Sequence, residues 1–155
     1  MNYRYIVTGI IQNGDMVVVG KKAKGQPPYP DVWHTPGGGV ENAELAKELY
    51  EKGDFDNEYF HTELQREIRE ELNIDITNIR NIVPSVRALP RQGDAQSKNG
   101  EQTHYYFLEY FCDYVEGELE PGDDLAEAKW VHKEDLTNIQ LTPPSLEMYK
   151  ELEWI

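Results

Sequence analysis

Four glutamates in the middle of the chain are spaced as residues on one side of a helix would be. Glu67, Glu70 and Glu71 stand at positions i, i+3 and i+4 of the stretch QREIREELNIDI, and Glu63 extends the row by one turn. Neighbouring like charges at this spacing cost roughly 0.2–0.5 kcal/mol per pair. Clustered carboxylate oxygens suit Mg²⁺ or Mn²⁺, which also bind phosphate oxygens. The row therefore indicates either a divalent metal site or a solvated acidic helix face.

A run of three glycines precedes this stretch. Gly37, Gly38 and Gly39 follow Pro36 in the stretch TPGGGVENAE, and Trp33 lies just upstream. Glycine permits positive φ angles and a close approach between the main chain and another group. By itself, such a run is typical of a turn as well as of a loop that binds a ligand.

Taken in order, these residues resemble the signature of the Nudix hydrolase family. That signature is Gly, five residues, Glu, seven residues, then Arg-Glu-aliphatic-x-Glu-Glu-x-Gly-aliphatic. Gly38 and Glu44 match its first part. The stretch from Arg66 to Ile74 matches its second part, with Asn73 in place of the last Gly. Asparagine tolerates the left-handed conformation that such a glycine supplies at a helix end.

The spacing inside the signature departs from that of the family. Positions 45–65 separate Glu44 from Arg66, which makes 21 residues where the signature has seven, so 14 residues are inserted. The insertion, at about 45–58, is predicted to form a helix and a turn. It ends before Arg66 and leaves the second part of the signature whole, while the role of Glu44 stays open.

The resemblance implies a Nudix-type pyrophosphohydrolase that uses Mg²⁺, with Mn²⁺ as a substitute. The metal would be bound by Glu67, Glu70 and Glu71, and Arg66 would orient Glu67, which serves as a ligand or as the general base. The predicted catalytic residues are thus Arg66, Glu67 and Glu70. In the family a further acidic residue often precedes a strand containing Trp. In the stretch PGDDLAEAKW we choose Asp124 for this role, the alternative being a solvated acidic loop.

The predicted substrate-binding residues are Gly37, Gly38, Gly39, Trp33, Arg87 and Lys22. The glycines would bring main chain close to the substrate, the two basic residues would contact phosphate, and the indole would stack on a base. The alternatives are a turn for the glycines, solvated surface charge for the basic residues, and packing at the sheet edge for the indole.

Composition limits the partners and the size of the fold. The chain has 155 residues, which suits a single domain over 1–155. Its 29 acidic and 15 basic residues give a formal charge of −14. This charge argues against binding to nucleic acid or to an anionic membrane surface. Cys112 is the only cysteine, so the chain forms no intrachain disulfide. We expect a cytoplasmic protein.

The pattern of strands and helices predicts how these residues are positioned. Asn13-Gly14 lies between two strand-like stretches and predicts a hairpin. A helix is expected from near Asn57, capped by Asp54 or Asp56, with a buried stripe formed by Phe60, Leu64, Ile68 and Leu72. The stretch 90–102 is polar and is predicted to be a loop, and a closing helix is expected after Thr142. With the resemblance, the order of elements predicts an α/β (α+β) fold, a Nudix-like α/β/α sandwich around a mixed sheet.

Three functions are compatible with these features. The first is Mg²⁺-dependent hydrolysis of a phosphoanhydride bond in a nucleoside di- or triphosphate derivative. The second is a nucleotide-sensing module of the same fold without turnover, and the third is a structural acidic protein. The complete set of Arg66, Glu67, Glu70 and Glu71 favours the enzyme. The substrate stays open among nucleoside triphosphates, dinucleoside polyphosphates and nucleotide sugars, and the resemblance leaves room for a homodimer.

Overall fold

A computed structural model describes residues 2–22, 31–82, 91–96, 102–122 and 125–155. Within these residues, eight strands form one mixed sheet, accompanied by three α-helices and a 3₁₀ helix. In chain order the elements are β1 (Asn2–Asn13), β2 (Met16–Lys22), β3 (Trp33–His34), β4 (Gly37–Gly39), α1 (Ala43–Glu51), α2 (Glu58–Leu72), β5 (Asp75–Asn81), β6 (Arg91–Gln96), β7 (Gln102–Glu116), β8 (Leu125–His132), the 3₁₀ helix (Lys133–Asn138) and α3 (Pro143–Glu151).

The first and seventh strands form the centre of the sheet. β1 and β7 run parallel in an unbroken register from Asn2 opposite Thr103 to Gln12 opposite Asp113. The other edge of β1 is shared by β4 near its middle and by β2 at its end. The predicted hairpin is present, and Gly14 has a φ of 62° in the turn between β1 and β2.

The sheet is covered on both faces. Phe60, Leu64, Ile68 and Leu72 of α2 are all fully buried, as predicted, and form one core with the strands beneath them. Successive strand residues point to opposite faces. Accordingly Ile10 of β1 belongs to a second core, with Met148 and Tyr149 of α3. This arrangement confirms the predicted α/β/α sandwich around a mixed sheet.

The start of α2 differs from the prediction in its cap. Asn57 itself is the N-cap, and its side chain accepts a hydrogen bond from the backbone N–H of Tyr59. Neither predicted aspartate caps the helix. Asp54 accepts a hydrogen bond from the Asn57 side chain, and Asp56 accepts one from the backbone N–H of Asn81. Both carboxylates therefore hold the segment that leads into α2.

The predicted loop at 90–102 is wrong for its first half, because Arg91–Gln96 form β6. This strand pairs antiparallel with β7, from Arg91 opposite Phe107 to Gln96 opposite Gln102. It lacks alternating apolar residues, so the side-chain pattern gave no sign of a strand. Strand β6 is instead defined by its backbone pairing with β7. After β7, strand β8 begins at Leu125.

The inserted helix α1 belongs to the core. Ala46 and Leu49 are buried in the same core as α2, and Tyr50 packs edge-on against Tyr5 at 5.7 Å between ring centroids. The hydroxyl of Tyr110 on β7 donates to the backbone oxygen of Phe55, which follows α1. The insertion is thus fixed to the body of the sheet. No helix among the described residues is long and apolar enough to cross a membrane.

Candidate active site

The glycine run forms strand β4, and one of its residues contacts the catalytic helix. Val7 of β1 lies opposite Gly38, which places Gly38 on the face of the sheet that α2 covers. A Cβ atom at this position would overlap with the carboxylate of Glu67. The side chain of Glu67 is only 13% exposed, so it has little room to move away. Glycine at position 38 is therefore required by a close approach, and not by a turn.

The neighbouring glycines face the other side of the sheet. A Cβ atom at Gly37 would overlap with the backbone oxygen of Val7, and one at Gly39 would meet the guanidinium group of Arg4. Gly37 and Gly39 thus let β4 lie tightly against β1. In the structure, all three glycines pack against other groups of the protein. A role in binding substrate remains a prediction for Gly37, Gly38 and Gly39.

Arg66 is the centre of a cluster of carboxylates. Its Nε donates to Oε2 of Glu63 at 2.8 Å, and its Nη1 donates to Oε1 of Glu67 at 3.1 Å and to Oε2 of Glu70 at 3.3 Å. Oε1 of Glu41 lies 3.7 Å from the same Nη1. One positive charge faces four negative ones, which leaves an excess of negative charge that a cation would offset.

Glu63 is buried inside this cluster, with 6% of its surface exposed. Its Oε1 accepts hydrogen bonds from the backbone N–H of Glu41 at 2.9 Å and from the hydroxyl of Tyr59 at 2.8 Å. Burial alone would raise the pKa of this carboxyl. The hydrogen bonds from Glu41, Arg66 and Tyr59 outweigh burial and lower the pKa, so Glu63 is held ionised.

Glu67 has the opposite electrostatic environment. Burial raises the pKa of its carboxyl, the attraction of Arg66 opposes this, and repulsion from Glu70 adds to the rise. A general base works best when its pKa lies toward the working pH. Of the two buried carboxylates beside Arg66, Glu67 is therefore the one suited to accept a proton.

The remaining predicted metal ligands lie near the C-terminal end of α2. Glu71 is half-buried, and the side chain of Glu70 is 49% exposed. The backbone N–H of Gly122 donates to the backbone oxygen of Glu71 at 2.8 Å, which holds the acidic loop against the end of α2. Asp124, two positions after Gly122, lies outside the described residues.

The donor set suits a divalent metal ion. Glu67, Glu70 and Glu71 supply hard oxygen atoms, which Mg²⁺ and Mn²⁺ prefer, and the absence of a side chain at Gly38 lets the Glu67 carboxylate lie against β4. Within the part of the chain that the structure describes, no group of three or more acidic, His or Cys side chains is gathered closely enough to hold a metal. Arg66 contacts two of these carboxylates instead.

Two of the three predicted substrate-contacting side chains, Trp33 and Lys22, lie on described strands of the sheet. Trp33 is half-buried on β3, with the ammonium groups of Lys129 and Lys21 at 4.4 Å and 5.5 Å from a ring centroid. This cation–π packing occupies its ring. Lys22 is half-exposed at the end of β2, and Arg87 lies outside the described residues.

Comparison with known proteins identifies the family. A family model described as NUDIX domain matches residues 2–152. The chain belongs to the Nudix family. This confirms the family and the enzyme class, a Nudix-type pyrophosphohydrolase, that the sequence predicts. No curated protein matches the chain closely enough to count as a relative.

Solved structures show the same fold at low sequence identity. A MutT NUDIX hydrolase from Burkholderia pseudomallei has a TM-score of 0.67 at 20% identity, over 98% of this chain and 99% of that one. The E. coli ORF135 protein has a TM-score of 0.57 at 21% identity, over 99% and 92%. The NUDIX domain of Shewanella oneidensis NrtR, complexed with ADP ribose, has a TM-score of 0.63 at 11% identity, over 99% and 86%.

The structure also shows where the glutamate of the first half of the Nudix signature lies. Glu44 is exposed in the first turn of α1. Glu58, which is separated from Arg66 by seven residues as the signature requires, is exposed in the first turn of α2. Among the described residues, the ion-pair partners of Arg66 are Glu41, Glu63, Glu67 and Glu70.

Sequence reasoning recognised Glu63 as part of the acidic row but not as the buried partner of Arg66. One available signal was the spacing, because Glu63 and Arg66 stand at i and i+3 on a helix, where opposite charges pair. The contact of Glu63 with Glu41 depends on how the insertion folds, and the sequence carried no signal for that.

Proposed function

We propose that this Nudix protein hydrolyses a phosphoanhydride bond in a nucleoside di- or triphosphate derivative, with Mg²⁺ bound by Glu67, Glu70 and Glu71. The observation that carries the proposal is the carboxylate cluster around Arg66, in which the Glu67 side chain is only 13% exposed, has a raised pKa and lies against Gly38. The bound metal would neutralise the diphosphate and make a bound water more acidic.

The residues of the chain have distinct roles in this proposal. Arg66 holds the Glu67 carboxylate through the hydrogen bond from Nη1 and fixes its orientation. Glu67 accepts the proton of the attacking water. Glu70 and Glu71 supply oxygen ligands to the metal, with Asp124 as a further ligand. Mn²⁺ would substitute for Mg²⁺, since both prefer oxygen donors.

Substrate recognition rests on the remaining predicted residues. Lys22 and Arg87 would contact the phosphates, Trp33 would lie beside the base, and the backbone of Gly37–Gly39 would border the bound substrate. With a net charge of −14, the protein would take a small nucleotide and not a nucleic acid or a membrane surface. We place this single domain of residues 1–155, with its insertion at 45–58, in the cytoplasm, as a monomer or homodimer.

A nucleotide-sensing module without turnover is the second candidate. It is favoured by the similarity to the NrtR NUDIX domain, whose structure holds ADP ribose. A module that only binds a nucleotide would not need a buried carboxylate with a raised pKa beside an arginine. The presence of Arg66, Glu67, Glu70 and Glu71 together therefore supports the enzyme.

Incubation with a panel of nucleotides, followed by chromatographic separation of the products, separates these functions. The panel would contain nucleoside triphosphates, dinucleoside polyphosphates, ADP ribose and nucleotide sugars, each with and without Mg²⁺. Mg²⁺-dependent turnover of any member that EDTA abolishes supports the enzyme. Calorimetric binding of a member without turnover would support the sensing module, and neither binding nor turnover would contradict both.

A further inference from the structure

The glutamates at the spacings of the Nudix signature do not pair with Arg66 among the described residues. Glu44 has the signature's spacing from Gly38, and Glu58 has the signature's spacing to Arg66. The 14 inserted residues therefore leave two candidates for the single glutamate of the signature. Both side chains are exposed, and neither is among the ion-pair partners of Arg66 within the described residues. Another group must therefore hold the guanidinium.

Glu63 has the contacts that this task requires. It is buried, and its two oxygens accept hydrogen bonds from opposite sides. Oε2 faces Arg66, at 2.8 Å from Nε and 2.7 Å from Nη2. Oε1 faces the backbone N–H of Glu41 at 2.9 Å and the Tyr59 hydroxyl at 2.8 Å. One carboxylate thus joins the arginine to the main chain that leaves β4.

The same contacts connect β4, α1 and α2, which meet at the insertion. Glu41 follows directly after Val40, whose backbone N–H donates to the oxygen of Tyr5 on β1 at 2.9 Å. The Tyr59 hydroxyl also accepts a hydrogen bond from the backbone N–H of Asn42, the N-cap of α1, at 2.9 Å. Glu63 therefore fixes α2 relative to the residues that directly follow β4, where the insertion begins.

We propose that Glu63 is a positioning residue that holds Arg66, and through Arg66 the Glu67 carboxylate. Arg66 can donate to Glu67 from Nη1 only while its Nε and Nη2 edge is anchored on Glu63. The effect on rate rests on the proposed hydrolase function, whereas the anchoring itself does not.

Glu63→Gln tests the rate effect with a nearly unchanged shape. A carboxamide has one oxygen, while donors from Arg66, Glu41 and Tyr59 face this side chain, so its NH₂ group must point at either Arg66 or Glu41 and Tyr59. Below the melting temperature we expect kcat to fall at least about tenfold on the nucleotide that the parent hydrolyses fastest, with KM within about threefold. Glu44→Gln and Glu58→Gln are matched controls and should keep the parental kcat within about twofold.

A double-mutant cycle separates positioning from general destabilisation. If Glu63 acts through Arg66, then Glu63→Gln should reduce kcat little further in an Arg66→Gln background. Losses that multiply would overturn the proposal, as would a parental kcat in Glu63→Gln. A loss of kcat in Glu44→Gln equal to that in Glu63→Gln would overturn it too.

Hydrogen exchange of the arginine side chains tests the anchoring without any substrate. In the parent, the Nε–H of Arg66 should exchange at least about tenfold more slowly than that of Arg69, whose side chain is 56% exposed on the same helix. Equal exchange would overturn the proposal. Because this measurement needs neither turnover nor a variant, it decides the matter even if no nucleotide is hydrolysed or Glu63→Gln does not fold.

Discussion

Gly38 of β4 lies against the carboxylate of Glu67 on α2, with no space for a methyl group between them. Gly38→Ala should therefore displace Glu67 from Arg66 and lower kcat by at least about tenfold, since a catalytic group moved by about 1 Å can cost up to 10²-fold. The strand pairing of β4 with β1 needs no glycine at this position, so the fold should remain. Turnover and circular dichroism check both expectations.

Gly39→Ala is the matched control for this substitution. A methyl group at position 39 would meet the guanidinium end of Arg4, which is the flexible end of a long side chain. We expect a smaller loss of turnover from Gly39→Ala than from Gly38→Ala. The reverse order would show that the contact between Gly38 and Glu67 is not what limits the reaction.

Glu70→Gln should separate stability from function. The Glu70 side chain is 49% exposed and lies 3.3 Å from Arg66, so loss of this screened ion pair and relief of repulsion from Glu67 should nearly cancel. We expect a metal-free stability within ~0.5 kcal/mol of the parent. Saturating Mg²⁺ should raise the Tm of the parent more than that of the variant.

Turnover by Glu70→Gln should fall by at least about a hundredfold, which corresponds to roughly 2.7 kcal/mol of transition-state stabilisation. Glu58→Gln, an exposed substitution on the same helix, serves as the control for both measurements. Near-parental rates for Glu70→Gln across the nucleotide panel would place the metal site elsewhere.

The raised pKa of Glu67 predicts a stability that depends on pH. Burial, opposed by Arg66 and assisted by Glu70, makes the folded protein hold this proton more tightly than the unfolded chain does. The folded state therefore loses stability as pH rises through the folded-state pKa. Glu67→Gln is neutral at every pH and, without metal, should be more stable than the parent at pH 7.

This difference in stability should shrink as pH falls through the folded-state pKa of Glu67, because the parent then becomes neutral at the same position. Urea unfolding in EDTA between pH 4 and pH 7 measures it. A variant less stable than the parent at pH 7 would mean that the hydrogen bond from Arg66 outweighs burial.

Asn73 at the end of α2 should tolerate glycine but not alanine. Its φ of 60° lies in the left-handed region, where alanine is strained by about 1–2 kcal/mol. Glycine adopts this φ freely but loses the exposed hydrogen bond from the Asn73 amide to the backbone oxygen of Glu118 at 3.2 Å. We expect Asn73→Gly within ~1 kcal/mol of the parent and Asn73→Ala below it. Equal stabilities in urea unfolding would contradict the left-handed cap.

The inserted helix should contribute to global stability. Leu49 of α1 is buried in the core that contains Leu64 and Ile68 of α2. Leu49→Ala should cost about 2–5 kcal/mol, as other buried leucines do. Lys47→Ala on the exposed side of the same helix should change stability by less than about 0.5 kcal/mol. A neutral Leu49→Ala would indicate that α1 is only loosely attached.

The helical part of the site was predictable from sequence because its signals are local. The four-residue spacing of Phe60, Leu64, Ile68 and Leu72 determines which side of α2 is buried and therefore which side carries the glutamates. Asn73 likewise indicates the end of the helix, because asparagine tolerates the left-handed conformation found there. Those features depend on residues within a few turns of one another.

The contacts that complete the site are long-range and were not predictable in this way. Whether Gly38 meets Glu67 depends on the register of β4 on β1. Glu63 reaches the backbone of Glu41 only because α1 folds back onto the core. The polar strand β6 is ordered by its ladder with β7, which no side-chain pattern in 91–96 reveals.

The parallel pairing of β1 with β7 has a consequence for how the protein is made. Tyr5 lies opposite Tyr106, so the two central strands come from distant parts of the chain. Most of the chain lies between these two strands in sequence. Pairing over such a distance is slow, because the entropy of closing the loop is lost before any contact forms. β1 cannot gain this pairing until β7 has left the ribosome. We therefore expect nascent chains that stop short of residue 102 to be exposed to proteases, and the glutamate cluster to reach its final arrangement late in synthesis.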